Sequence, residues 1–138
     1  MPSPPQHSSP HLPQRSWFGK FAAAGRGVVL GVRDQRSCHV HLLATVAVAL
    51  AAVLLRVPRV DGCLLLLCVA TVWCAELLNS GLESLARAID RRPDPDIAAA
   101  LDLASGAVLI MSLGAAAVGI WVFGAHVFSL WTTGAAAA

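Results

Sequence analysis

The sequence predicts an all-α membrane protein of three transmembrane helices, preceded by an N-terminal amphipathic helix lying in the membrane interface. Three observations predict it. Apolar residues fill 57% of the 138 positions and charged residues only 13%, a balance that would leave a soluble chain of this size with much apolar surface in water. From Leu103 to Ala125, 23 consecutive residues carry no charge, enough to cross ~30 Å of hydrocarbon at ~1.5 Å per residue. Two shorter apolar runs, Leu42 to Leu55 and Cys63 to Ala75, reach spanning length when flanking residues are added, provided a few polar side chains point away from lipid.

The elements follow in order. Residues 1–15 are rich in proline and serine, cannot bury a core, and are expected to form a disordered tail. Over 16–34, Trp17, Phe18, Phe21, Ala24, Val28 and Val29 recur at helical spacing among Lys20, Arg26 and Arg33. That pattern predicts a surface helix anchored by its aromatic rings in the headgroup region. The first span covers about 38–56. It lies so far behind a proline-rich and basic stretch that a signal peptide is disfavoured. A short reversal around Pro58 and Gly62 leads into the second span, about 62–89. The turn holding Arg91, Arg92, Pro93 and Pro95 precedes the third, about 97–126, in a domain running from 16 to 132. Ala98, Ala104, Gly106, Gly114 and Ala117 make the third span rich in small residues, which let helices approach closely in lipid and favour a homo-oligomer.

Lys and Arg set the orientation. Arg15, Lys20, Arg26, Arg33 and Arg36 precede the first span, Arg56 and Arg59 lie between the first and second, Arg87, Arg91 and Arg92 lie between the second and third, and none follows the third. The N-terminus and that turn are therefore expected on the cytoplasmic side. These residues are topology signals, and a formal net charge of +2 gives no reason to expect a nucleic-acid partner. Cys38, Cys63, Cys68 and Cys74 show no C-x-x-C spacing and read as packing residues rather than a zinc or disulfide framework.

Chemistry concentrates on the second span. Glu76, Asn79 and Glu83 are three, four and seven residues apart, which places them on one helical face over ~10.5 Å of axis. Carboxylates in a membrane are costly and must face protein or water, so the stripe is a candidate functional site. Glu83 lies ~6 Å along the helix from Arg87 and Glu76 ~16 Å, which brings one carboxylate near water and sets the other at lipid-headgroup reach. A purely structural reading pairs Glu83 with Arg87 at i, i+4 and lets Asn79 bond a neighbouring helix, but leaves Glu76 without a cation. Asp102, with Ser105 and Gly106 a turn later, opens the uncharged run at the same depth as Glu83; alone it is equally well an interfacial carboxylate favoured by the helix dipole. His39 and His41, at the start of the first span, read as interfacial or packing residues.

The run Ala75-Glu-Leu-Leu-Asn-Ser-Gly-Leu-Glu83 resembles the E-[LI]-[LIF]-N-[ST]-[AG]-[LI]-E signature of the prokaryotic diacylglycerol kinase family, which includes undecaprenol kinases. Ala100-Leu-Asp-Leu-Ala-Ser-Gly-Ala-Val-Leu-Ile110 and Arg36-Ser-Cys-His-Val-His-Leu42 are similar to two further family motifs, in family order. The resemblance implies a homotrimer in a bacterial inner membrane, with sites shared between subunits near the cytoplasmic face, where MgATP phosphorylates a membrane lipid hydroxyl. It implies Glu76 as catalytic base, Glu83 as a Mg²⁺ ligand, and Asn79 and Asp102 at the nucleotide. Phosphoryl transfer needs this kit: positioning, a cation to offset phosphate charge, and an acceptor for the hydroxyl proton. No glycine-rich P-loop is present, so a soluble kinase fold is excluded.

Three positions depart from the family pattern. Gln35 stands where a second metal-binding glutamate is expected, Leu101 where a phosphate lysine is expected, and Arg87 where an aspartate is expected. Gln35 offers Mg²⁺ a neutral carbonyl oxygen, so Gln35 or the adjoining Asp34 would complete the metal shell, and Arg87, Arg91 or Arg92 would supply the missing positive charge. The alternative is a family member with impaired catalysis that binds lipid or nucleotide.

Overall fold

The computed structural model describes residues 16–89 and 94–136. The expected 1–15 tail, Arg91 and Arg92 lie outside the described residues. Four α-helices follow one another: α1 Trp17–Asp34, α2 Arg36–Leu54, α3 Arg59–Ile89 and α4 Pro95–Ala136, with no strand among the described residues. α2, α3 and α4 are each long and apolar enough to cross a membrane. At ~1.5 Å per residue they measure roughly 28, 46 and 63 Å, so α3 and α4 outreach ~30 Å of hydrocarbon and must tilt or project from it.

Local chemistry sets the helix ends. Ser16 caps α1, its Oγ accepting from the Gly19 N–H at 3.2 Å. A single extended residue, Gln35 (φ −114°, ψ 121°), separates α1 from α2, and its N–H still bonds Gly31 O at 3.2 Å. α2 ends in a Schellman turn, with Val57 N–H on Ala52 O and Arg56 N–H on Val53 O. Arg56 takes the left-handed position (φ 52°) that usually goes to glycine. α3 begins at Arg59, directly after Pro58, and not at Gly62, whose N–H already bonds Pro58 O at 2.9 Å. Asp94 caps α4, its Oδ1 accepting from the Asp96 and Ile97 N–H groups at 2.9 and 3.1 Å.

α3 and α4 form the main helix pair, α2 lies mostly on α3, and α1 folds back against α2 and α3. Gly31 allows that last approach: a Cβ there would sit 2.6 Å from Leu77 Cδ2. The protomer buries few apolar side chains, chiefly Cys38, Leu65, Val72 and Val122. Leu43, Val53, Leu66, Leu113, Ile120 and Trp121 point outward. An apolar exterior is what lipid, which is as apolar as leucine, or further copies of the chain would cover.

Candidate functional site

The polar exceptions to this inside-out pattern lie on one helix. Among the described residues, Glu76, Asn79 and Ser80 on α3 are the buried polar ones, and Glu76, 1% exposed, is with Cys38 the most deeply buried large side chain. The 3.6-residue repeat turns positions 76, 79, 80 and 83 to one face, and α2 and α4 close over it.

Around Glu76, α2 supplies the partners. Ser37 Oγ donates to Glu76 Oε1, Cys38 Sγ lies 3.9 Å from the same oxygen, and His41 Nε2 is 3.6 Å from Oε2. Glu76, expected to lack a local cation, thus has the imidazole of His41 beside it as well as the Ser37 hydroxyl. The physical reason is the kink at Gln35, which brings the first turns of α2 across α3. Ser37, Cys38 and His41 are at i, i+1 and i+4, a single helical face, and that spacing is the signal that reading them as interfacial or packing residues overlooks.

Further along α3, Asn79 Nδ2 donates to Glu83 Oε1 at 3.1 Å, and Ser105 Oγ of α4 reaches Asn79 Oδ1 at 3.5 Å. Glu83 is half-buried, with Oε2 3.7 Å from Arg87 Nη1; Arg87 Nη2 also donates to Ser84 Oγ at 3.0 Å. Both halves of the structural pairing are therefore present, with Asn79 linked to its own helix as well as to α4. Asp102 is exposed on α4 and makes no hydrogen bond or ion pair with Glu76, Asn79 or Glu83. Gln35 stands apart from Glu83's direct contacts but shares a cavity of about 570 Å³ with Asp34, Ser80, Ser84 and Arg87, between α1 and α3. A second, nearly apolar groove of about 380 Å³ runs between α2, α3 and α4, from His41, Thr45 and Trp73 at one end to Ile120 and Phe123 at the other. Trp73 Nε1 donates to Thr45 Oγ1 at 2.9 Å, which closes its polar wall.

Among the described residues no three acidic, histidine or cysteine side chains converge as a metal cage. Mg²⁺ does not need one: it takes one or two carboxylates and completes its shell with phosphate oxygens and water. Glu83, half-buried and near the Arg87 end of α3, fits that requirement as the single carboxylate; Gln35 lines the α1–α3 cavity, whose walls do not include Glu83. The site thus combines a buried carboxylate held by hydroxyl and imidazole, a second carboxylate nearer the helix end, a guanidinium, and an apolar groove that reaches the first carboxylate through His41.

Fold and site together define a membrane-embedded helix bundle with an acidic site set into α3. The match to the family model described as prokaryotic diacylglycerol kinase covers residues 22–123, and the chain belongs to that family. It is also similar to the protein named undecaprenol kinase from Bacillus subtilis (strain 168), 29% identical over 97 residues that cover 70% of this chain and 79% of that one. No solved structure matches it. The chain is therefore a membrane protein of a lipid kinase family.

Proposed function

We propose that the protein transfers the γ-phosphate of ATP to the hydroxyl of a membrane lipid, an alcohol of the diacylglycerol or undecaprenol class. One observation carries the reading: the most deeply buried large polar side chain in a lipid-facing bundle is a glutamate, 1% exposed. Its helix also holds Asn79 and Glu83 on the same face. Such a carboxylate is expensive in a membrane and is retained where chemistry uses it. Similarity to undecaprenol kinase supports the polyprenol as acceptor.

In this mechanism the lipid hydroxyl lies against Glu76, with its chain in the apolar groove that His41 borders. Glu76 takes the hydroxyl proton as the oxygen attacks the γ-phosphorus, the bond to the β–γ bridging oxygen breaks, and ADP leaves. Ser37 and His41 hold the carboxylate in place. Glu83 would hold Mg²⁺ with help from Gln35, and the ion would neutralise phosphate charge. Asn79 orients Glu83, and Arg87 supplies the positive charge that Leu101 cannot. Asp102 makes no hydrogen bond or ion pair with Glu76, Asn79 or Glu83 within one protomer, and a homotrimer whose sites are shared between subunits would let α4 of a neighbour complete the nucleotide site. Positive charge flanking α1 and the α3–α4 turn supports a cytoplasmic N-terminus in a bacterial inner membrane.

A second reading has its own support: Glu83 is engaged by Asn79 and Arg87, which suits a protein that binds lipid or nucleotide without turning it over. Transfer of labelled γ-phosphate to diacylglycerol or undecaprenol in detergent, with and without Mg²⁺, decides between them. The kinase reading expects Mg²⁺-dependent phospholipid product, and nucleotide binding without product refutes it.

A further inference from the structure

We infer that His41 is the proton exit of the site: it strips from Glu76 the proton that the carboxylate takes from the lipid hydroxyl, and so readies the base for its next turnover. The inference rests on the kinase reading, with Glu76 as base.

Burial creates the need. Each phosphoryl transfer to an alcohol releases one proton, and Glu76 receives it at a residue only 1% exposed. A neutral carboxyl group cannot act as base again, and one shut off from water loses its proton only to a side chain that meets it. Among the described residues, the polar side chains at its oxygens are Ser37, Cys38 and His41 of α2. Ser37 Oγ donates its own proton to Oε1, which leaves Oε2 to take the incoming one. Cys38 is 0% exposed, so a proton passed to it would be no nearer water. His41 Nε2 faces Oε2 at 3.6 Å, and 17% of its side chain is accessible. Imidazole is the side chain that takes up and gives off protons near neutral pH. The separation exceeds a hydrogen bond, and catalytic contacts of this kind tighten once substrate is in place.

The fold holds His41 for this task. Thr45 Oγ1 donates to His41 O at 2.7 Å, and Trp73 Nε1 donates to Thr45 Oγ1 at 2.9 Å. The turn of α2 that carries the imidazole is thereby tied to the helix that carries the carboxylate. His41 lies ~7.5 Å along the axis from Arg36, the first residue of α2, and Arg36, Ser37 and His39 on these turns are exposed. On its other side His41 borders the apolar groove, where Cys68 is the other titratable side chain; α1 and α4 bring none to that groove. In the step itself the Oε2–H bond of neutral Glu76 breaks as an Nε2–H bond forms, which leaves a carboxylate beside an imidazolium. The imidazolium gives a proton to water or a buffer base and returns to neutral imidazole, one proton for each lipid phosphorylated.

Rapid-quench transfer of labelled γ-phosphate from ATP to undecaprenol and to diacylglycerol tests the relay, with the full chain in detergent and the parent compared with His41→Gln, His41→Ala and Ser37→Ala. Glutamine keeps an N–H for Oε2 but does not titrate. A base that works once and is not reset gives a burst. In His41→Gln the first turnover should run within about threefold of the parent's, and later turnovers about tenfold or more below it. Imidazole added to His41→Ala should speed the later turnovers, and substituted imidazoles should do so in order of basicity. Ser37→Ala should slow first and later turnovers alike. Equal slowing of first and later turnovers in His41→Gln overturns the relay and leaves His41 a positioning residue. A burst in Ser37→Ala without one in His41→Gln overturns it too, by moving the exit to the hydroxyl. A parent that forms no phospholipid removes the kinase reading and the relay together, whereas a productive parent matched by His41→Gln in every turnover removes the relay alone.

Discussion

Replacing Glu76 by glutamine separates chemistry from architecture, because the two predict opposite movements. Glutamine keeps the volume and still offers Ser37 Oγ an acceptor, so the hydrogen bond to α2 survives. What disappears is the negative charge opposite His41 Nε2, 3.6 Å away. If Glu76 is the base, phosphoryl transfer drops by about 10²–10⁴-fold, or ~2.7–5.5 kcal/mol of transition-state stabilisation. Stability should hold or rise. An ionised carboxylate 1% exposed in a spanning helix costs ~2.5–3.5 kcal/mol to insert, offset by ~1.5–3 kcal/mol for a hydrogen bond to the charged group. Glutamine abolishes the cost of inserting a charge and only weakens the hydrogen bond that offsets it. The assay is initial-rate transfer to undecaprenol and to diacylglycerol, alongside thermal unfolding in the same detergent. Turnover equal to the parent's would end the assignment of Glu76 as base. Unfolding several degrees earlier, with lost activity, would show a structural pillar instead.

Other substitutions probe the surrounding groups. His41→Ala leaves Glu76 with Ser37 and Cys38 alone and should destabilise the bundle by ~1 kcal/mol; in a double-mutant cycle with Glu76→Gln the loss should shrink, and simple additivity would refute the pairing. Gln35→Glu restores a carboxylate at the cavity wall and should lower the Mg²⁺ concentration for half-maximal binding, read by Mn²⁺ substitution and electron paramagnetic resonance; an unchanged midpoint removes Gln35 from the metal shell. Arg56→Gly relieves a left-handed residue at the end of α2 and should stabilise the protein by ~1 kcal/mol in chemical denaturation, an effect absent if the turn relaxes in the membrane.

Much of the architecture was legible without coordinates because lipid imposes simple rules. A run without charge must be long and helical to cross hydrocarbon, and helical periodicity alone aligned Glu76, Asn79 and Glu83 on one face. The Glu83–Arg87 pair is likewise an i, i+4 relation within α3, which sequence spacing contains. The chain's motifs also pointed to its family, which the match over residues 22–123 establishes.

Contacts between helices were a different matter, because they depend on the angle at which one helix crosses another, and spacing along a chain does not encode that angle. One extended residue at Gln35 turns α2 so that Ser37, Cys38 and His41 meet Glu76, 35 to 39 positions away. The same turn lets Gly31 bring α1 against α3, opening the cavity that unites Gln35, Ser80 and Arg87. It also took packing to leave Asp102 exposed on α4, without a bond to the residues its motif suggested it would join. Sequence determined which groups had to be inside a membrane; tertiary structure decided which of them touch, since burial follows from composition and periodicity while contact follows from the rigid-body placement of packed helices.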